Sequence, residues 1–119
     1  MAKLTIRIDL TPTHAIGPGK IQLLELIERT GSISAAGRAM TMSYRRAWLL
    51  IEELNRAFTG RVVMASPGGR AGGGAKLTPT GRKLVRHYRA MEKTTQRVLA
   101  RHLAALDRAS TPRKKSTRS

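Results

Sequence analysis

Residues 31–58, GSISAAGRAMTMSYRRAWLLIEELNRAF, read as two helices joined by a tight turn, and the second helix opens on Tyr44, Arg45 and Arg46 directly behind Ser43. Acidic residues suit the first turn of a helix, whose free N–H groups carry partial positive charge. Two arginines there oppose the macrodipole by about 0.3–1 kcal/mol each. Local rules are broken mostly at functional sites, so this helix start predicts an anion facing it. A helix-turn-helix presents its second helix to the DNA major groove in this way.

The rest of that helix supports an orientation. Ala47, Leu50, Ile51, Leu54 and Phe58 recur with the helical period and form a core-facing stripe. Tyr44, Arg45, Arg46 and Leu49 are left nearer the open side, and Trp48, at the edge of the stripe, reads as a ring packed on the core rather than stacked on bases. In the preceding helix, capped by Ser32 or Ser34, the small residues Ala35, Ala36 and Ala39 allow close helix approach. Thr41 sits in the intervening turn, where a positive φ suits glycine or asparagine and strains a β-branched side chain. Either Thr41 carries that strain or the two helices meet at another angle.

Outward from this unit, residues 3–9 alternate Leu4, Ile6 and Ile8 with Lys3, Thr5, Arg7 and Asp9, the period of a half-buried strand. Residues 11–19 hold two prolines and two glycines and read as a connecting loop. Residues 20–30 place Ile21, Leu24 and Ile27 at helical spacing, ended by Gly31 as the left-handed stop. Residues 61–64 and 75–77 flank SPGGRAGGG and read as a hairpin with a basic, glycine-rich tip. Thr78 caps and Pro79 starts a helix running to about residue 108, with Leu84, Tyr88, Met91, Val98, Leu99, Leu103 and Leu106 in a broad apolar stripe. A helix of that length, roughly 45 Å, exceeds what so small a core covers. Its stripe predicts a homodimer interface. Two parts are expected: a domain over residues 1–108 and a basic disordered tail over 109–119.

Composition narrows the partner. Among 119 residues, 23 Lys and Arg against 7 Asp and Glu give a formal charge of +16, which directs the chain to polyanions. Residues 54–91 contain no carboxylate, so one face is strongly positive. The absence of cysteine excludes disulfides and thiolate metal sites. His14, His87 and His102 lack metal-ligand spacing, and no paired-carboxylate or Ser/His/Asp set is present. The expectation is a non-enzyme with no metal and no cofactor, cytoplasmic and nucleoid-associated, and not a membrane protein.

The order of strand, helix, SISAAGRAM, SYRRAWLLIEELN, GGRAGGGAKLTPTG and long helix resembles the N-terminal DNA-binding domain of the molybdate-responsive ModE regulators and, more distantly, the LysR-type helix-turn-helix. The resemblance covers residues 3 to about 106. It implies a mainly α fold with a small β wing, a winged helix-turn-helix closed by a long C-terminal dimerisation helix over 79–108. It also implies a homodimer on a palindromic operator that regulates transcription. The chain runs into a basic tail where full-length ModE proteins continue into oxyanion-binding domains, so molybdate sensing is not carried over.

Within that frame, helix 44–58 enters the major groove of double-stranded DNA with Arg45 and Arg46 near base edges or phosphates. Ser32, Ser34, Ser43 and Tyr44 reach phosphates. The wing over 61–77 follows the backbone or minor groove through Arg61, Gly69, Arg70, Gly72, Gly73 and Lys76. The alternative is a non-specific, nucleoid-type architectural binder using the same surface. A third class is a protein-interaction module whose activity comes from a separately encoded oxyanion-sensing partner, or whose basic helix meets an anionic membrane.

Overall fold

The computed structural model describes residues 1–66 and 74–111. Its elements are β1 (Ile8–Thr11), β2 (His14–Ile16), α1 (Pro18–Thr30), α2 (Ile33–Ala39), α3 (Tyr44–Ala57), β3 (Val63–Ser66), β4 (Gly74–Leu77), α4 (Pro79–Val98) and α5 (Ala100–Ala109). The core forms around α1, which buries Ile21, Leu23, Leu24, Leu26 and Ile27 and packs against α2, β4 and α4. Ala47, Ile51 and Leu54 of α3, Val62 and Val63, Leu77 and Tyr88 complete it. Each of the larger aliphatic side chains contributes about 1.5–3 kcal/mol by burial.

Helix ends follow local chemistry. Gly31 stops α1 at φ 71° with its N–H on Ile27 O. Ser32 Oγ accepts the Ala35 N–H, Ser43 Oγ the Arg46 N–H and Thr78 Oγ1 the Gly81 N–H. These caps satisfy backbone donors that the helices leave free. Thr41 takes φ 54°, so the turn between α2 and α3 carries the strained conformation and the helices keep their close approach. That approach needs Gly37, where a Cβ would lie 3.1 Å from the Ala47 Cβ.

The expected class, a winged helix-turn-helix with a small β wing and one long dimerisation helix, is corrected, among the described residues, to five helices and two separate two-stranded antiparallel sheets. The single helix over 79–108 is two helices, interrupted at Leu99 with φ −98° and ψ 8°. Thr95 Oγ1 donates to Met91 O and Glu92 O, a back-bonding pattern that bends helices. The loop over 11–19 contains β2, which pairs with β1 as Ile8 with Ile16 and Asp9 with Ala15, with a bulge before Thr11 and His14. Thr11 Oγ1 accepts the Thr13 and His14 N–H groups and so closes this turn. The strand over 3–9 begins only at Ile8. Before it, the extended chain is tied by the Tyr88 hydroxyl on Ile6 O and by the Ala2 N–H on the Asp107 carboxylate.

Two polar clamps fix the elements around the candidate site. Asn55 Oδ1 accepts the N–H groups of Val62 and Val63 at 2.7 and 3.2 Å, joining α3 to the second hairpin. Arg89 forks onto Glu25 at 2.7 and 2.9 Å and also holds Glu92, joining α4 to α1. The Arg89 hydrogen bonds hold the Glu25 carboxyl below its ordinary pKa, against the opposing effect of burial. They raise that of the guanidinium in turn. Burial, helped by the Glu92 charge, pushes the Tyr88 phenol up. No helix of the described residues is long and apolar enough to cross a membrane.

Candidate nucleic-acid interface

The side of α3 opposite Ala47, Ile51 and Leu54 is open. Tyr44, Arg45, Trp48 and Leu49 all lie exposed there. With 3.6 residues per turn, Arg45 stands near the middle of this face. Tyr44 and Trp48 follow one edge a turn apart, and Leu49 lies a turn beyond Arg45. Among the described residues neither Arg45 nor Arg46 forms an ion pair. Their charges are available at a helix start that holds no acidic residue in its first turn.

A cleft of about 210 Å³ lies beside this helix start, lined by Ser32, Ile33, Ser34, Tyr44, Ala65, Ser66, Gly74 and Ala75. It joins the beginning of α2, the beginning of α3 and the stem of the hairpin. The Ala75 N–H on Gly31 O at 2.9 Å docks β4 against the end of α1 and sets the width of the cleft. The lining includes three serines and a tyrosine around a space large enough for a tetrahedral oxyanion, with the Ser32 hydroxyl accepting the Ala35 N–H and the Ser34 hydroxyl accepting from Arg38. Of the expected contact residues, Ser32, Ser34 and Tyr44 are thus brought together, with Ser66 added.

Arg46 points elsewhere. It borders a second cavity of about 490 Å³ between the β2–α1 junction and the α2–α3 turn, with Ile16, Lys20, Met40, Met42 and Leu50. Arg61 and Lys76 are exposed on the second hairpin; Arg61 lies 3.8 Å from Glu52. Ser43 acts as the cap and is exposed. Gly69, Arg70, Gly72 and Gly73, and the tail beyond residue 111, lie outside the described residues.

Trp48 departs from expectation, since 42% of it is exposed and its ring belongs to the open face. Asn55 went unmarked in the sequence. Its signal, an asparagine two positions before the end of an amphipathic helix, is weak by itself. The residues expected at a dimer interface separate into two sets. Tyr88 is fully buried within the chain, Leu84 packs against the core, and Leu99 and Leu103 are half-buried. Met91, Val98 and Leu106 are exposed. Among the described residues no group of three or more His, Asp or Glu side chains is gathered to hold a metal ion.

No family model matches the chain. It is similar to the molybdenum-pterin-binding protein MopB of Rhodobacter capsulatus, at 46% identity over 71% of this chain and 32% of that protein. It is also similar to the molybdenum transport protein ModE of Azotobacter vinelandii, at 39% identity over 85% of this chain and 37% of the relative. The DNA-binding transcriptional dual regulator ModE of Escherichia coli K12 is 32% identical over 81% of this chain and 37% of its own length. The chain thus spans about a third of the length of these curated relatives.

These matches correct the resemblance drawn from the sequence, to the N-terminal winged helix-turn-helix of the molybdate-responsive ModE regulators without their molybdate-binding domain. The relatives are named for molybdenum-pterin binding and molybdenum transport as well as for regulation. The LysR-type likeness finds no support in these relatives and is withdrawn. Relatives of this chain include transcriptional regulators.

Proposed function

We propose that this chain binds double-stranded DNA through the open face of α3 and the adjoining hydroxyl-lined cleft, and that it does so in the service of transcriptional regulation. The observation that carries the reading is the start of α3, where Arg45, without an ion pair among the described residues, stands beside Tyr44, next to a cleft lined by Ser32, Ser34 and Ser66. Arginine pairs bidentately with guanine O6 and N7, discriminating by about 1–3 kcal/mol. Hydroxyls, lysines and the remaining arginines hold phosphates and set register without reading sequence. In this arrangement Arg45 reads bases, the cleft takes a phosphate, and Arg61 and Lys76 anchor the flanking backbone. Two copies paired through the exposed apolar groups of α4 and α5 present two such faces to a two-fold symmetric site.

Gel-shift titration against fragments of the parent genome tests this. One fragment is expected to bind at least a hundredfold more tightly than random duplex. Arg45→Ala is expected to reduce that preference, and Lys76→Ala to weaken all duplexes alike and lower the salt slope by about one unit. Equal affinity for every duplex replaces regulation with the architectural reading that the charge of +16 favours. Calorimetric titration with molybdate examines the binding named for the relatives. No heat is expected, and a micromolar constant overturns that expectation.

A further inference from the structure

We propose that Trp48 and Leu49 read the C5-methyl groups of thymine in the major groove, an inference that rests on the DNA-binding reading of α3. Single exposed apolar residues need no explanation. Here two large ones are adjacent, 42% and 43% exposed, and share a face with Tyr44 and with Arg45, which forms no ion pair among the described residues. The same helix hides Ala47, Ile51 and Leu54 almost completely, so its apolar side is already supplied and this pair is additional. An isobutyl group has nothing to offer a phosphate, and an indole is apolar apart from its single N–H donor. In the major groove the apolar feature that distinguishes one base pair from another is the thymine methyl, and apolar side chains contact it. Arg45, one turn before Leu49 and three residues before Trp48, places a guanine-reading fork beside the two. The face therefore carries a mixed code, a hydrogen-bonding centre with apolar flanks. Stacking of Trp48 on bases is disfavoured because the bases of a duplex are stacked on one another and would first have to be extruded.

The test begins with a pool of duplexes of about 30 base pairs with a randomised centre, enriched on the unmodified protein. The enriched duplex is then made in two forms, with thymine or with uracil at every thymine position of the centre. Uracil keeps each hydrogen bond and deletes only the methyl. Wild type is expected to bind the uracil form more weakly, by about fourfold for each methyl contacted. Trp48→Ala and Leu49→Ala should each bind the thymine form less tightly and show a smaller thymine-to-uracil ratio. The double variant should bring that ratio close to one. Both side chains are exposed, so unchanged thermal unfolding confirms that the variants are folded. A ratio of one for wild type, or a ratio unaltered in the variants, overturns the methyl reading while sequence preference leaves the DNA-binding reading standing. Failure to enrich any duplex overturns both.

Discussion

Thr41 holds a φ of 54° in an exposed turn, where its branched Cβ crowds the backbone. A non-glycine residue in a sparsely populated backbone region costs about 1–3 kcal/mol and persists only where the surroundings fix it. Here they do. The Met42 N–H bonds to Gly37 O at 2.9 Å, the Thr41 N–H to Arg38 O at 3.0 Å, and Gly37 admits Ala47. Thr41→Gly and Thr41→Asn are expected to stabilise the chain by about 1 kcal/mol, raising Tm by about 4 °C. A Tm at or below wild type in thermal unfolding followed by circular dichroism contradicts stored strain at this turn. The sequence exposes this residue because the helices on either side have unambiguous periods. It leaves the angle open because a strained φ and a changed interhelical angle relieve the same conflict.

Elements whose ends carry their own chemistry are legible in the sequence: Ser32, Ser43 and Thr78 cap, and Gly31 terminates, where side-chain type alone demands it. Strand β2 is hidden because His14–Ile16 is short, lies among prolines and glycines, and depends on pairing with Ile8 and Asp9. The interruption at Leu99 is hidden for a related reason. The apolar stripe runs through it unbroken, and the competing hydrogen bonds come from Thr95, a residue compatible with helix. For the site, the arginines and serines are legible from helix starts, but the exposure of Trp48 is set by how α3 rolls on the core. The break also divides the terminal stripe. Tyr88 and Leu84 serve the core within the chain, leaving Val98 and Leu106, 66% and 62% exposed, for an external partner. Pairing of two copies there predicts that Val98→Lys with Leu106→Lys yields monomers in analytical ultracentrifugation. Their unfolding temperature at low concentration should be unchanged, because neither side chain is buried within one chain. Dimers that survive this double substitution place the interface elsewhere.

Across the whole molecule, six of the seven carboxylates are already matched with cations, by Arg7, Lys20, Arg61, Arg89 (which holds both Glu25 and Glu92) and the N-terminus. The surplus of +16 therefore resides in cations that repel one another until a polyanion covers them. Salt should act on the free and bound chain in opposite directions. Raising salt from about 50 to about 200 mM shortens the Debye length and weakens that self-repulsion, so the free chain should unfold at a higher temperature. The same change should weaken DNA binding. If Arg45, Lys76 and two more cations of this face each neutralise one phosphate, the logarithmic slope is about −3.6, and a fourfold rise in salt costs about a hundredfold in affinity. Parallel melting curves and gel-shift titrations over that range measure both. A Tm that falls with salt would show that the ion pairs outweigh the repulsion. A slope near zero would show that the cationic face makes no phosphate contacts, and with that the role given to α3 and the second hairpin would fail.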